Sequence, residues 1–533
     1  MLVKINRCSA LLAAALIACS VASSAFAGND HEDDGEGEGL WLSAGQGSKN
    51  TRFQAEEERI SARNVGRLGT KWSFTTQGEV SATPAVDAKR VYVPDWKGNL
   101  YAVDRKTGLL VWSTKIAAAT GVPNDFARAT PAVSGRRLVL GTQGKNGGGG
   151  NLLAYDTQTG ALLWKTKLNS HPLAIITQSA TISDGVVYVG VASGEEGAAA
   201  FVPGYPCCSF RANMTAVDLA SGSILWQTYM VPTGFSGGAI WGSAPAVDTK
   251  RKQVYIANGN NYSVPAATLA CVASAGSNVA AIKACIPSDN LVDAIVALDL
   301  TTGARKWSTA ALPFDAWTVG CLFGEFGPNC PQPAGPDYDF GQEPALFSVH
   351  GPGGKHELVG AGQKSGQYWA LDPDTGAVKW VTQAGPGGTG GGLQWGSAVD
   401  DKHVYTANSN SNAKPTTVRG NVVTTGVWSA LDKATGAVIW QQTTPSGRTG
   451  FGLGTTSGPV TTANGVVFGC SLDALGYMYA LDSATGDILW QFASGGSCLS
   501  GAAISKGEVF WGSGYTNFGI GTFNNKLYAF EIK

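Results

Sequence analysis

The chain has 533 residues, among them 72 glycines and 16 tryptophans, whereas only 14% of its residues are charged and its formal net charge is −1. So little charge argues against a disordered chain, a coiled coil or a nucleic-acid binder. A long, glycine-rich and weakly charged sequence is typical of all-β proteins built from repeats.

The N-terminus has the composition of an export signal. Lys4 and Arg7 precede an apolar run over residues 10–21, and a small-x-small cleavage site follows. We therefore predict a signal peptide over residues 1–27 and a periplasmic location, with lipid attachment at Cys19 as the less favoured alternative. No later stretch is apolar enough to predict a transmembrane segment.

One motif recurs along the rest of the chain: an apolar residue, Ala, another apolar residue, Asp, two variable residues, Thr or Ser, Gly, three further residues and Trp. Seven copies occur, at Tyr101–Trp112, Leu153–Trp164, Thr215–Trp226, Val296–Trp307, Trp369–Trp380, Ser429–Trp440 and Tyr479–Trp490. Their separation of roughly 40 to 80 residues is within the range of propeller blades that carry insertions.

Each copy has the features of a β-hairpin. In the first copy, Asp104 can cap the backbone of its own turn and Gly108 supplies a position with positive φ. Trp112 ends the following strand and is suited to the gap between neighbouring blades. Because a second strand pair precedes most copies, the unit has the four strands of a propeller blade.

An eighth blade can be assembled from the two ends of the chain. Residues 71–74 resemble an outer strand that lacks a preceding partner, and residues 526–531 resemble the missing partner. Joining them closes the ring and leaves no open sheet edge. We therefore predict one all-β domain over residues 51–533, an eight-bladed β-propeller, preceded by a flexible acidic lead-in over residues 28–50.

Eight cysteines follow the predicted signal. An even number in an exported chain favours disulfides, and pairing of nearest neighbours is the simplest arrangement, although the sequence does not decide the connectivity. No Cys-x-x-Cys-His motif occurs, so no covalently attached haem is expected. The eight are Cys207, Cys208, Cys271, Cys285, Cys321, Cys330, Cys470 and Cys498.

Residues just before the innermost strands should line one mouth of the central channel. They include cationic, polar and aromatic side chains where packing alone would accept small residues, so they favour a flat anionic ligand over the alternative of a solvated polar pore. They are Glu79, Arg128, Thr177, Gln178, Trp241, Gln342, Glu343, Gln394 and Trp395.

Three further departures from the repeat carry chemistry. Glu196 and Asn260 end equivalent strands of successive blades, and their oxygen atoms suit Ca²⁺ or a similar hard ion. Asp337 and Asp339 are spaced i, i+2 in an extended segment, so their carboxylates point the same way and need a cation or a shared proton. Ordinary polar loops are the alternative interpretation of both pairs.

The adjacent Cys207 and Cys208 form the third departure. A disulfide between them would provide a rigid apolar plate on which a planar ligand can stack. Free thiols, or separate bonds to distant cysteines, are the alternatives.

These motifs together resemble the bacterial quinoprotein alcohol dehydrogenases that use pyrroloquinoline quinone (PQQ). The seven repeats are similar to the tryptophan-docking motifs of that family over most of residues 67–533. Within that family, the resemblance is to the polyvinyl-alcohol dehydrogenase branch that has no haem c domain. It rests on three segments: Pro-Cys-Cys-Ser-Phe-Arg, Gly-Asn-Asn-Tyr-Ser and Gly-Pro-Asp-Tyr-Asp-Phe-Gly. The resemblance implies PQQ bound with Ca²⁺, or with a lanthanide as in some members.

The resemblance also implies roles for individual residues. Glu196, Asn260 and Asp337 match the metal-binding positions, and Asp339 matches the extra acidic position of lanthanide users. Asp337 matches the catalytic base, with residues 318–334 as an insertion, and Lys364 matches a group that stabilises the reduced cofactor. The implied cofactor-binding residues are Arg128, Thr177, Cys207, Cys208, Trp241, Lys364 and Trp395.

One departure concerns the cysteine pair, which precedes the metal-binding Glu in methanol dehydrogenases but follows Glu196 here. The activity implied is oxidation of an alcohol, whether secondary, bulky or polymeric, with electrons passed to an external acceptor such as a periplasmic cytochrome c. The rivals are a cofactor-free propeller similar to the lipoprotein scaffold of outer-membrane protein assembly, and a metal-dependent hydrolase, which leaves the tryptophans unexplained.

Overall fold

The computed structural model describes residues 39–144, 147–324, 327–351, 354–445 and 456–533. The predicted signal peptide, Cys19 and residues 28–38 of the predicted lead-in lie outside these ranges. Eight sheets, each with four antiparallel strands, form a propeller ring, which confirms the predicted fold class; in blade 7 a fifth strand, Phe53–Gln54, pairs in parallel with the innermost strand Thr461–Ala463. The eighth blade joins the two ends of the chain as expected, with Trp72 opposite Ala529 in its register.

The blades follow one another in chain order, and each is given from its innermost to its outermost strand. Blade 1 comprises Ala85–Val86, Arg90–Pro94, Asn99–Asp104 and Leu110–Lys115; blade 2, Ala132–Ser134, Arg137–Gly141, Asn151–Asp156 and Leu162–Lys167; blade 3, Thr181–Ser183, Val186–Gly190, Asn213–Asp218 and Ile224–Tyr229; blade 4, Ala246–Asp248, Gln253–Ala257, Ala294–Asp299 and Arg305–Ala310. Blade 5 comprises Ala345–Gly351, Gly354–Gly362, Gln367–Leu371 and Val378–Gln383; blade 6, Ala398–Val399, His403–Asn408, Val427–Asp432 and Val438–Thr443; blade 7, Thr461–Ala463, Val466–Cys470, Tyr477–Asp482 and Ile488–Ala493; blade 8, Ala503–Ser505, Glu508–Gly512, Lys526–Ile532 and Leu68–Thr75.

Short helices and two small ribbons lie in the connections. The α-helices are α1 (Ile116–Thr120), α2 (Glu195–Phe201), α3 (Ala266–Ala275) and α4 (Val279–Ala284); the 3₁₀ helices are Val65–Arg67, Val319–Phe323 and Asn517–Gly519; the ribbons pair Ala174–Ile175 with Ala192–Ser193 and Thr416–Val418 with Asn421–Val423. Within the described ranges, no helix has the length and apolar character needed to cross a membrane.

The repeated tryptophans join each blade to the next. In seven places the indole Nε1 donates to a backbone carbonyl of the neighbouring blade at 2.8–3.0 Å. Except at Trp490, the same indole also covers the repeat glycine of that blade: a Cβ added to Gly486 would lie 2.5 Å from the Trp440 ring. This glycine also has a φ of +74°, which other residues adopt only at a cost. The Gly and the Trp of the motif therefore depend on each other through this one contact.

Replacing Gly486 with Ala should test this contact. Gly465, in the same blade, is the matched control, because it has φ of +80° but nothing closer than 3.8 Å to an added Cβ. We expect Gly465→Ala to cost about 1 kcal/mol from backbone strain alone, and Gly486→Ala to cost about 3 kcal/mol because the indole must also move. Urea unfolding of both variants measures the difference, and equal losses would contradict the docking role.

The N-terminal strap, defined here as residues 41–54, differs from the flexible lead-in predicted for residues up to 50. It runs past the innermost strands in blade order, and its backbone carbonyls accept hydrogen bonds from N–H groups on the free edges of those strands. The bonds run from Val86 to Trp41, Val133 to Leu42, Val247 to Ser48, Leu346 to Lys49, Val399 to Thr51 and Thr462 to Arg52, at 2.6–3.0 Å. Composition gave no indication of these contacts, because it does not reveal that inner strand edges need acceptors.

Side chains of the strap also tie blades together. The Asn50 amide donates to the carbonyls of Glu343 and Pro344 at 3.3 and 3.0 Å, and its oxygen accepts from the Ser243 hydroxyl at 3.2 Å. Trp41 is fully buried in the core between blades 1, 7 and 8. Residues 39–50 are therefore part of the propeller rather than a separate lead-in.

The described cysteines form four disulfides, each between nearest neighbours in the sequence. They are Cys207–Cys208, Cys271–Cys285, Cys321–Cys330 and Cys470–Cys498. The second and third lie in loops inserted into and after blade 4, and the fourth is buried and joins blade 7 to the link that leads to blade 8. The simplest pairing considered from the sequence is therefore the one observed.

Candidate active site

The antiparallel order of strands brings two kinds of connection to one face of the ring. The loop between the second and third strands of a blade, and the link from the fourth strand to the next blade, both lie at the same end of the strands. Glu196, Asn260 and Lys364 come from loops of the first kind, in blades 3, 4 and 5. The links provide the other predicted site residues, which are Arg128, Thr177, Trp241, Asp337, Asp339 and Trp395.

Lys364 lies between two carboxylates at the centre of this face. Its Nζ is 2.8 Å from Asp337 Oδ1 and 3.1 Å from Asp339 Oδ2. All three residues are more than 90% buried. The two carboxylates predicted to point the same way therefore do so, with an ammonium group as their common partner.

Asp339 connects this ion pair to two other predicted site residues. Its Oδ2 accepts from the indole Nε1 of Trp241 at 3.1 Å, and its Oδ1 accepts from the backbone N–H of Asn260 at 2.9 Å. The Asn260 amide donates both protons, to the carbonyls of Asn261 and Trp317. Because the amide is planar, its oxygen is turned away from those carbonyls and is available as a ligand.

Glu196 completes the acidic cluster from the start of α2. Burial raises the pKa of its carboxyl to about 8; the Lys364 ammonium opposes this shift, and the carboxylates of Asp339 and Asp315 add to it. Burial, together with Asp339 and Glu196, also raises the pKa of Asp337 well above its usual range. The cluster thus holds more carboxyl groups than the single ammonium of Lys364 can balance, so a proton or a further cation would relieve the repulsion among them.

Asp315 is a site residue that the sequence interpretation missed. Its carboxylate accepts from the N–H groups of Tyr338 and Asp337 at 2.8 and 3.3 Å, and its carbonyl accepts from Asn261 at 3.1 Å. It therefore joins the two segments that carry Asn260 and Asp337. Its place beside Trp317, directly before the predicted insertion, was the available signal.

Asp293 was also missed. It is 1% exposed, and neither carboxylate oxygen has a hydrogen-bond partner within the described residues. Burial, followed by the charges of Asp315, Asp339 and Asp337, raises the pKa of Asp293 well above its usual range. Asp293 therefore belongs to the same acidic region.

Aromatic rings extend the cluster toward the propeller axis. The ring centroids of Trp241 and Trp395 are 5.1 Å apart in an edge-to-face contact. The Arg128 guanidinium is 4.5 Å from the centroid of the Trp395 ring. Arg128, Thr177 and Trp395 line one axial cavity, so the predicted cofactor-binding residues are continuous with the predicted metal ligands.

The Cys207–Cys208 loop is held by Glu195 rather than by Glu196. The fully buried Glu195 carboxylate accepts from the Tyr205 hydroxyl and from the N–H groups of Ser209 and Phe210, at 2.8–2.9 Å. The carbonyl of Cys208 accepts from the Ser263 hydroxyl at 3.2 Å. Adjacent residues of α2 thus serve two different parts of the site.

Glu195→Ala should release this loop. The variant leaves three donors without their acceptor, at a cost of about 3 kcal/mol, and hydrogen exchange of the Ser209 and Phe210 amides should accelerate. Glu196→Ala is the matched control on the same helix, because Glu196 makes none of these bonds and its removal relieves repulsion in the cluster. Hydrogen-exchange mass spectrometry measures both, and equal protection in the two variants would contradict the assignment.

The donor set fits a hard cation. Glu196, Asp337, Asp339 and the Asn260 oxygen are carboxylate and amide ligands of the kind that Ca²⁺ and lanthanides prefer. In the described part of the chain, no three His, Cys, Asp or Glu side chains already surround a common point as metal ligands. The Lys364 ammonium lies against two of these carboxylates instead, so a bound cation would compete with it.

Comparison with known proteins supplies a family and relatives. The model of the PQQ_2 family, described as outer membrane protein assembly factor BamB, matches residues 56–309 and 364–533. Polyvinylalcohol dehydrogenase of Sphingopyxis sp. strain 113P3 is 32% identical over 410 residues, which is 73% of this chain and 57% of that protein. Polyvinylalcohol dehydrogenase of a Pseudomonas sp. is 31% identical over 459 residues, which is 81% of this chain and 64% of that protein. This chain thus spans less than two thirds of either relative.

A solved structure shows the same fold. Quinohemoprotein alcohol dehydrogenase from Comamonas testosteroni superposes with a TM-score of 0.69 at 19% identity, covering 92% of this chain and 80% of that one. The family match leaves out residues 310–363, which carry Asp315, Asp337 and Asp339. The same unmatched residues include two strands of blade 5, whereas Glu196, Asn260 and Lys364 lie in the matched parts.

Proposed function

The chain belongs to the PQQ_2 family, and from this premise we propose that it is a periplasmic quinoprotein dehydrogenase that oxidises an alcohol to a carbonyl compound. The observation that carries the proposal is the buried contact of Lys364 with Asp337 and Asp339, joined to Asn260 and Trp241. A propeller that only binds other proteins has no use for this uncompensated buried charge. The relatives named polyvinylalcohol dehydrogenase support a secondary or polymeric alcohol as substrate.

The cofactor of this proposal is PQQ with Ca²⁺ or a lanthanide. Glu196, Asn260, Asp337 and Asp339 would hold the metal, with Asp339 the position that favours a lanthanide. Trp241, Trp395, Arg128, Thr177, Lys364 and the Cys207–Cys208 disulfide would hold the quinone. When bound, PQQ supplies a two-electron acceptor for the hydride of the alcohol carbon.

The residues of the chain supply proton transfer and position. Asp337 takes the hydroxyl proton as general base, because its carboxylate combines a raised pKa with a cationic partner 2.8 Å away. Lys364 orients that carboxylate and provides positive charge where negative charge develops. Burial of this group excludes water from the reacting atoms. The electrons pass to an external acceptor, for which we propose a cytochrome c.

Reconstitution of the purified chain tests the proposal. With PQQ and either Ca²⁺ or a lanthanide, we expect dye-linked oxidation of secondary alcohols that disappears when the metal is chelated. Asp337→Asn should lower kcat by about a hundredfold or more. Asp432→Asn is the matched control, because that carboxylate caps a turn in blade 6, and it should retain activity.

Two results would contradict the proposal. One is absence of PQQ binding by fluorescence titration in the presence of either metal, which would favour the scaffold interpretation. The other is full alcohol oxidation by Asp337→Asn, which would assign the base to another carboxylate.

A further inference from the structure

Four large apolar side chains are exposed on the face of the ring that carries the acidic cluster. Phe201 ends α2 and Val202 follows it, whereas Leu322 and Phe323 belong to the 3₁₀ helix Val319–Phe323. These four residues are 50–65% exposed. The rings of Phe201 and Phe323 meet edge to face with their centroids 6.1 Å apart, so the four residues form one surface, named here the apolar ledge.

The apolar ledge begins beside the proposed metal ligands. Helix α2 carries Glu196 in its first turn and Phe201 at its end, so the two residues lie about 7.5 Å apart along the helix axis. The other half of the ledge follows Trp317, whose carbonyl accepts from the Asn260 amide at 2.9 Å, and it ends at Phe323. Both halves therefore lead directly away from the site of the proposed oxidation.

Hydrogen bonds and a disulfide hold the two halves of the ledge together. The Asn329 amide donates to the carbonyls of Ala199, in α2, and Tyr205 at 2.9 and 3.2 Å. The Cys321–Cys330 disulfide closes the loop that carries Asn329. The ledge is therefore preorganised, and a ligand that binds there does not first have to order it.

The ledge is also uncharged. The described residues 197–210, 316–324 and 327–336 include no Asp, Glu, Lys, Arg or His, and Glu325 lies outside the described residues. A protein partner is usually met by charged groups around an apolar centre, whereas an uncharged carbon chain needs apolar side chains alone. Exposed apolar surface of this kind marks a binding site, and here it favours the carbon backbone of a neutral polymer.

We propose that the apolar ledge binds the carbon chain of a polymeric secondary alcohol and leads one of its hydroxyl groups to Asp337. The inference rests on the proposed function and adds to it a binding surface outside the catalytic residues. A polymer with a hydroxyl on every second carbon keeps an apolar backbone that aromatic rings can cover. A short alcohol reaches Asp337 without the ledge, so the two kinds of substrate should depend on it differently.

Binding to the cofactor-free chain tests the ledge without any oxidation. In native electrophoresis through gels that contain polyvinyl alcohol, we expect the chain to be retarded relative to a reference protein. Dextran, a hydroxyl-rich polymer without an apolar backbone, should have no effect. Phe201→Ser and Phe323→Ser should each weaken the binding of polyvinyl alcohol about tenfold. Phe523→Ser is the matched control, because Phe523 is 50% exposed in a loop of blade 8, and it should bind as the parent chain does.

The reconstituted enzyme gives a second measurement. We expect Phe201→Ser and Phe323→Ser to raise KM for polyvinyl alcohol about tenfold, with kcat and the oxidation of pentane-2,4-diol unchanged. Asn329→Gly tolerates the φ of +56° at this position but removes both donors. It should therefore also weaken polymer binding while leaving oxidation of the short diol intact.

Three results would overturn the inference: the parent chain is not retarded by polyvinyl alcohol, both Ser variants bind the polymer as the parent chain does, or these variants lose only electron transfer to a protein acceptor. Polymer binding that depends on the ledge, in a chain that oxidises no alcohol, would support the ledge and reject the proposed function. Oxidation of pentane-2,4-diol by a chain that does not bind the polymer would do the reverse.

Discussion

The contact between a tryptophan of one blade and a glycine of the next determines how this molecule is built. At six junctions the indole covers a glycine with positive φ and donates to a carbonyl beside it, as Trp440 does with Gly486 and Ser483. Because the contact repeats around the ring, blade spacing is set by backbone geometry and not by the variable loops. The loops at one face are therefore free to carry long insertions and charged residues without loss of the fold.

That freedom explains where the chemistry lies. Asp315, Asp337 and Asp339 belong to residues 310–363, which the family model does not match, and their partner Lys364 begins the next matched segment. Glu196 comes from a loop of a matched blade, so both the link before blade 5 and the loops of the repeating blades contribute charge to the cluster. Asp315 connects two of these segments, because its carbonyl accepts from the N–H of Asn261 and its carboxylate accepts from the N–H of Tyr338.

The sequence predicted the blades, the ring closure and the meeting of Asp337, Asp339, Lys364, Asn260 and Trp241, because these follow from a motif that repeats and from its exceptions. It did not predict the strap, since the acceptors that inner strand edges require can come from any backbone. Nor did it predict the roles of Glu195 and Asp293, because an isolated carboxylate has no pattern, or that of Asp315, whose one signal was its place before the predicted insertion. Their function depends on which N–H groups the fold places beside them.

The strap has a consequence for how the chain acquires its structure. Its residues contact blades in the order in which the blades occur, and Arg52 bonds to Val460, 408 positions further along. A chain that grows from its N-terminus therefore makes this segment first and can seat it only after nearly all the remaining sequence exists. Contacts between residues so far apart in the sequence form slowly. We therefore expect the strap to dock against the innermost strands in one of the last steps of folding.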